Sequence, residues 1–136
     1  MGTICQNELE KNRENKWKIK ILNSKYKNIM FGVAPIDFNI NSSNYTVCGW
    51  YLFCFYDYLN PKLYSGPPHK YNRKETNLSK INDEIIIIMN IQAGTLKFII
   101  NNEDKGDSYK DIPIDKPLFP AIFLYNKNDS IEIIEC

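Results

Sequence analysis

The sequence predicts an all-β fold, an antiparallel β-sandwich of two sheets. Three observations carry this. From Lys16 onward apolar residues recur with period two or in short branched runs, and nowhere with the three-to-four spacing of an amphipathic helix. Those runs are rich in Ile and aromatic residues, which fit a pleated, half-buried surface. Turn-forming residues punctuate them at intervals of about 8 to 12 residues, as in sandwiches and barrels. A chain of 136 residues, 43% hydrophobic and 13% aromatic, is the size of one domain and can form a core without staples.

The first 15 residues are mostly polar. We read residues 1–15 as an N-terminal extension, with one short helix allowed over residues 7–15, and residues 16–136 as the sandwich domain. Trp17, Ile19 and Ile21 alternate with Lys16, Lys18 and Lys20, the pattern of a half-buried strand. A polar turn at residues 23–25 leads to a second strand over residues 26–33, where Gly32 suggests a close approach. The two read as a hairpin. Residues 35–45 form a long polar loop, and residues 47–56 a buried aromatic strand with Trp50, Tyr51, Phe53, Phe55 and Tyr56.

Asn60 and Pro61 turn the chain, and Leu63 with Tyr64 marks a short strand. Ser65-Gly66-Pro67-Pro68 is a stiff turn, and the polar residues 69–82 read as a surface loop. Residues 84–90 contain four successive isoleucines and Met89. That run is too short for a membrane and too branched for a favoured helix, so it is a central strand buried on both sides. Ala93-Gly94 forms a hairpin turn, and residues 95–100 return with Leu96 and Phe98 on one face. Residues 101–106 turn again, with Gly106 suited to a left-handed position. Tyr109 and Ile112 mark a short strand, Pro113, Pro117 and Pro120 punctuate the next stretch, and residues 119–125 and 130–134 form a last hairpin.

The formal net charge is +1, from 17 basic and 16 acidic residues. No one-signed field gathers nucleic acid, membrane or acidic substrate. Arg13 and Arg73 are the only arginines, and bidentate readout of phosphate or guanine favours the arginine fork. The abundance of Ile, Lys and Asn reads as an AT-rich genome. Cys5, Cys48, Cys54 and Cys136 lack the two-residue gap of a zinc knuckle or redox motif, and His69 is the only histidine. The expectation is reduced thiols, with neither metal nor disulfide.

No apolar run near the N-terminus reaches signal-peptide length, and none anywhere reaches the 18 residues of a membrane span. The sequons at Asn41, Asn44, Asn77 and Asn128 are then chance products of Asn richness. The glycines never cluster into a phosphate cradle. Adjacent carboxylates such as Asp83-Glu84 and Glu103-Asp104 would point apart on a strand, and no nucleophile has a neighbouring base. The chain therefore reads as no enzyme, without cofactor.

The order of segments resembles the SPRY domain, the sandwich of TRIM ubiquitin ligases, ryanodine receptors and SOCS-box adaptors. The residues that carry the resemblance are Lys16-Trp17-Lys18-Ile19-Lys20-Ile21, Ile29-Met30-Phe31-Gly32-Val33-Ala34, Gly49-Trp50 with Leu52, and Leu63-Tyr64. Further along, they are Asn82-Asp83-Glu84-Ile85 through Met89, Ala93-Gly94-Thr95-Leu96-Lys97-Phe98, Asn102 with Gly106, and Pro117-Leu118-Phe119-Pro120-Ala121. Each matches a family segment, and together they follow the family's order over about residues 16–135. The family usually carries a strand or two before the tryptophan strand; here residues 3–5 would supply a short edge strand.

The resemblance implies a SPRY sandwich of concanavalin-like jelly-roll type. It implies a non-catalytic module that recognises a peptide segment or protein surface through loops at one end. By match of motif, Tyr64 corresponds to a ligand-contacting tyrosine of the SOCS-box branch, and Tyr125 and Asn126 fall in a ligand-contacting loop. The 23–25 turn and the 35–46 loop would form other walls, with Trp17 and Trp50 in the core. The partner expected is a protein or peptide, with neither nucleic acid nor membrane. The protein is expected to be a monomer that can pair through an exposed edge, and an intracellular adaptor of the eukaryotic cytoplasm or nucleus. A carbohydrate-binding sandwich that uses aromatic rings as stacking platforms, and a truncated SPRY domain without independent function, are the alternatives.

Overall fold

The computed structural model describes residues 2–4, 9–10, 14–24, 29–35, 49–54, 61–66, 72–75, 84–115, 117–124 and 127–135. The strands are β1 (Gly2–Ile4), β2 (Glu14–Asn23), β3 (Ile29–Pro35), β4 (Gly49–Cys54), β5 (Lys62–Gly66) and β6 (Asn72–Glu75). They continue with β7 (Glu84–Asn90), β8 (Thr95–Ile100), β9 (Glu103–Asp104), β10 (Leu118–Leu124) and β11 (Ser130–Glu135). They form a six-stranded sheet in the order β1-β10-β3-β4-β5-β6 and a five-stranded sheet in the order β11-β2-β7-β8-β9. Every pairing is antiparallel.

The core lies between the sheets. Period-two patterning places Trp17, Ile19 and Ile21 of β2, Ile85, Ile87 and Met89 of β7, and Leu96, Phe98 and Ile100 of β8 on one inner face. Ile29, Phe31, Val33, Leu52, Leu63, Leu118 and Ile122 meet them from the other sheet. Trp17 is buried; Trp50 is half-buried and packs against the cluster. The six-stranded sheet is buried on its second face as well. Met30, Ala34, Tyr51, Phe119, Ala121 and Phe123 are buried outside the inter-sheet cluster, and the Tyr51 and Phe123 rings meet edge to face at 5.6 Å.

Several expectations need correction. The segments read as a first hairpin, β2 and β3, lie in different sheets, and so do β10 and β11. Alternation reports which face of a strand is buried but not which strand it pairs with. The short connections instead carry the chain across the core, so that Ile19 and Ile21 face Ile29 and Phe31 rather than pairing beside them. The allowed N-terminal helix is absent from the described part of residues 7–15: Leu9 and Glu10 are irregular and Glu14–Asn15 already belong to β2. Leu9 is buried in the core and its N–H donates to the Leu118 carbonyl at 2.9 Å, contacts that outweigh the weak propensity of an isolated turn.

The edge strand expected at residues 3–5 lies at Gly2–Ile4, paired with β10. The expected loop at 69–82 contains the strand β6, whose Asn-Arg-Lys-Glu sequence hides it from a hydrophobic pattern and suits a sheet edge. In the expected 101–106 turn, Asn101 and Asn102 both take positive φ (57° and 62°) and close a two-residue hairpin between Ile100 and Glu103. Gly106 does sit at a left-handed φ of 89°. Tyr109 forms a single bridge to Leu96 in place of a strand, and its hydroxyl donates to the Tyr51 carbonyl at 2.7 Å, tying the two sheets together.

Candidate functional site

Strand register sorts the connections between two ends of the sandwich. In the six-stranded sheet Ile29 stands opposite Leu124 and Cys54, and Phe53 opposite Lys62. In the five-stranded sheet Asn23 stands opposite Ser130, and Lys20 opposite Glu84. Connections 24–28, 55–61, 76–83 and 125–129 therefore leave their strands at one end, here the Asn23 end. Connections 36–48 and 67–71 leave at the other, the Pro35 end, where Pro35 pairs with Leu118 and Gly49 with Gly66. The 23–25 turn and the 35–46 loop, expected as walls of one site, thus depart from opposite ends.

Tyr125 and Asn126 lie outside the described residues, within the connection between Leu124 and Lys127 at the Asn23 end. Tyr64 occupies the middle of β5, opposite Tyr51 on one side and Arg73 on the other. It is two residues, about 7 Å of strand, from Lys62 at the Asn23 end.

The described rim of that end includes the end of β2, the residues before β11, Glu84 of β7 and the Ile100–Glu103 hairpin. Asn23 ends β2, and its Nδ2 donates to the Asn128 carbonyl at 2.9 Å, tying the end of β2 to the residue two before β11. Asn128 takes a left-handed φ of 74°, a conformation Asn tolerates better than most residues. The register shifts between Ser130 and Ile131, which pair with Asn23 and Ile21, so Leu22 is the extra residue of a bulge and is 56% exposed. Asp129 follows Asn128; its Oδ2 is shielded from solvent and accepts no hydrogen bond. Sequence reading singled out neither Leu22 nor Asp129. Bulges leave no trace in alternation, and Asp129 sits in a run of Asn and Lys that masks any single polar residue.

The described residues offer little for chemistry. No three His, Cys, Asp or Glu side chains among them converge to hold a metal ion. The shifted titrations belong to a surface pair: Lys97 Nζ bonds Asp104 Oδ2 at 2.9 Å. That bond raises Lys97, and it lowers Asp104 together with the Gly106 N–H, which donates to Asp104 Oδ1. This arrangement braces the β8–β9 hairpin and leaves neither group poised to exchange a proton near neutrality. Among the described residues no helix is long and apolar enough to cross a membrane.

The SPRY domain model matches residues 14–136. The chain belongs to the SPRY family. Solved structures agree in fold. The SPRY domain of human HERC1 superposes with a TM-score of 0.71 at 17% identity, covering 98% of this chain and 81% of that one. A human SPRY domain gives 0.71 at 16%, covering 98% and 82%. The PSpry domain of TRIM65 gives 0.66 at 13%, covering 99% and 68%. No curated protein is significantly similar in sequence. SPRY domains are generally protein-interaction modules.

Proposed function

We propose that this SPRY domain is a non-catalytic module that binds a peptide segment or protein surface through the connections at its Asn23 end, with Tyr64, Tyr125 and Asn126 contributing contacts. The observation that supports this reading most is the family match over residues 14–136, set on a two-sheet scaffold in which the Asn23–Asn128 hydrogen bond ties β2 to the residues before β11. Two packed sheets make a rigid frame for binding residues, and a few aromatic anchors on such a frame carry most of an interface's affinity. The assay is parallel binding of the purified chain to a peptide-display library and to a glycan array. Enrichment of peptides, weakened by Tyr125→Ala, supports the reading. Retention of glycans with no peptide enriched overturns it in favour of a carbohydrate-binding sandwich.

A further inference from the structure

We propose that the open edge of β11 takes up an extended segment of another protein as a sixth strand of the five-stranded sheet, with a lysine or arginine opposite Glu132 and apolar residues opposite Ile131, Ile133 and Ile134. The inference goes beyond the reading above, because this surface is a strand edge and not the connections at the Asn23 end.

Among the described strands, β1 and β6 bound one sheet, and β11 and β9 the other. An edge strand directs about half of its backbone N–H and C=O groups away from the sheet, where another strand can pair with them. Three of these edges are blunted. β1 has three residues and β9 two, too short to hold a ladder, and β6 is Asn-Arg-Lys-Glu, polar throughout. β11 differs. It runs over six residues, Ser130–Glu135, and leaves Ile133 41% and Ile134 36% exposed.

Register fixes which face each residue occupies. Ile131 and Ile133 pair with Ile21 and Ile19 of the core cluster, so they lie at the margin of the inner face. Glu132 and Ile134 pair with Lys20 and Lys18, on the outer face. Each face of β11 therefore carries an exposed isoleucine that a further strand would cover. In strand addition the ladder supplies affinity, and alternate side chains supply specificity.

Charge selects the occupant. Glu84 of β7 stands opposite Lys20 of β2, and Lys20 opposite Glu132 of β11. A basic residue on the open side of Glu132 continues that alternation across the sheet, whereas an acidic one sets like charges side by side. A second copy of the chain lacks this match. β11 holds glutamates and no cation, so no register of self-pairing gives Glu132 an opposite charge. The two-fold centred on Glu132 sets carboxylate against carboxylate.

The test is selection of a random dodecapeptide display library on the wild-type chain and on Glu132→Lys, with both melting curves recorded. Wild type should enrich peptides that alternate apolar residues around one Lys or Arg. Glu132→Lys, a change at an exposed position, should lose them and enrich Asp or Glu instead. A synthetic winner peptide should bind Glu132→Lys at least about tenfold more weakly. Methylating alternate backbone nitrogens along one edge of that peptide should cost at least about tenfold on wild type, and along its other edge little, because the side chains are unchanged and only one edge donates to β11. This pair of peptides decides the matter even where Glu132→Lys fails to fold. Enriched peptides without a basic position, a bias that survives in Glu132→Lys, or equal affinity of the two methylated forms overturns the inference. Peptides that depend on Tyr125 and not on Glu132 overturn it and leave the reading at the Asn23 end intact. Wild type that sediments as a dimer, with no such peptide enriched, overturns it in favour of a second copy at this edge.

Discussion

The side chain of Asn15 pairs with the backbone of Glu10 as a strand would. Its Oδ1 accepts from the Glu10 N–H at 2.8 Å, and its Nδ2 donates to the Glu10 carbonyl at 2.8 Å. A third, longer contact reaches the Met89 carbonyl at 3.4 Å. Asn15 is 5% exposed, the buried polar residue of the described core. It anchors the Leu9–Glu10 segment to the five-stranded sheet while the Leu9 N–H holds the Leu118 carbonyl of the six-stranded one. The segment before β2 is thereby a strap across the sandwich.

Replacing Asn15 with Ala should therefore cost about 2 kcal/mol, since it strands two backbone groups and opens a small cavity. Urea unfolding should show a lower midpoint with an unchanged m-value. A loss under about 0.5 kcal/mol would mean that water replaces the side chain and the strap holds without it.

Glycine 32 has a stricter requirement. A Cβ there would lie within the van der Waals envelope of the Trp50 carbonyl on the neighbouring strand, and backbone cannot rotate away as a side chain can. Gly32→Ala should prevent a cooperative fold or cost more than about 3 kcal/mol. Gly106→Ala meets no atom within 4 Å and pays only for its φ of 89°, about 1 to 2 kcal/mol. Similar melting curves for the two variants would show that β3 and β4 can separate locally to admit the methyl group.

Much of this was legible in the residues themselves. The alternation of β2 named Trp17, Ile19 and Ile21 as core and the lysines between them as outward, and β8 obeyed the same rule. The turn at Ala93-Gly94 announced its hairpin, where Gly94 takes a φ of 67°. Sheet membership was not legible, because connections as short as residues 24–28 can turn a hairpin or cross a core, and only long-range packing decides. Strand β6 and the Leu22 bulge were hidden for a related reason: edges and bulges are defined by backbone pairing, which polar residues satisfy as well as apolar ones. For the candidate site, strand patterning singled out no residue, and the proposal of Tyr64, Tyr125 and Asn126 comes from the family resemblance alone. The Asn23 bond at that end falls on the Asn128 carbonyl, on which sequence is silent.

Trp17 is 5% exposed within the core, yet its Nε1 has no acceptor. Its value to the fold is therefore its apolar area. Trp17→Ala should cost about 3 to 5 kcal/mol. Trp17→Phe keeps a ring and removes the stranded donor, so its cost should be less than half as large. Chemical denaturation of both variants decides this; equal losses would mean that the indole's full volume is needed.

The Lys97–Asp104 pair fixes a pH dependence. Asp104 is held below its ordinary value by the Lys97 bond, so its stabilisation is complete above the usual carboxylate range and is lost as pH falls through the lowered value. Lys97 is raised by the same bond, so its share is complete below the ordinary lysine range and is lost as pH rises through the raised value. The pair acts in full from about pH 5 to about pH 9. Asp104→Asn keeps an acceptor for the Gly106 N–H and removes only the charge. Its melting temperature should lie slightly below that of wild type near pH 7 and converge with it in acid. The gap should shrink in high salt, because the pair is exposed. A gap that persists at the acid limit would assign the effect to the turn and not to the charge.

The binding reading makes its sharpest demand on Tyr64 and Tyr125, compared with Trp17. A ligand anchor and a core ring respond oppositely to truncation. Tyr64→Ala and Tyr125→Ala should leave the melting curve close to wild type while weakening a library-selected peptide by about 2 kcal/mol or more. Trp17→Ala should lower the melting curve directly. Tyr64 is the more exacting case, since it stands in the ladder opposite Tyr51, which is wholly buried. If Tyr64→Ala unfolds as readily as Trp17→Ala, its ring is structural and the contact surface shrinks to the connections themselves. If both tyrosine variants stay folded and hold the peptide at full affinity, recognition lies away from them, and the 36–48 connection at the Pro35 end becomes the surface to truncate next.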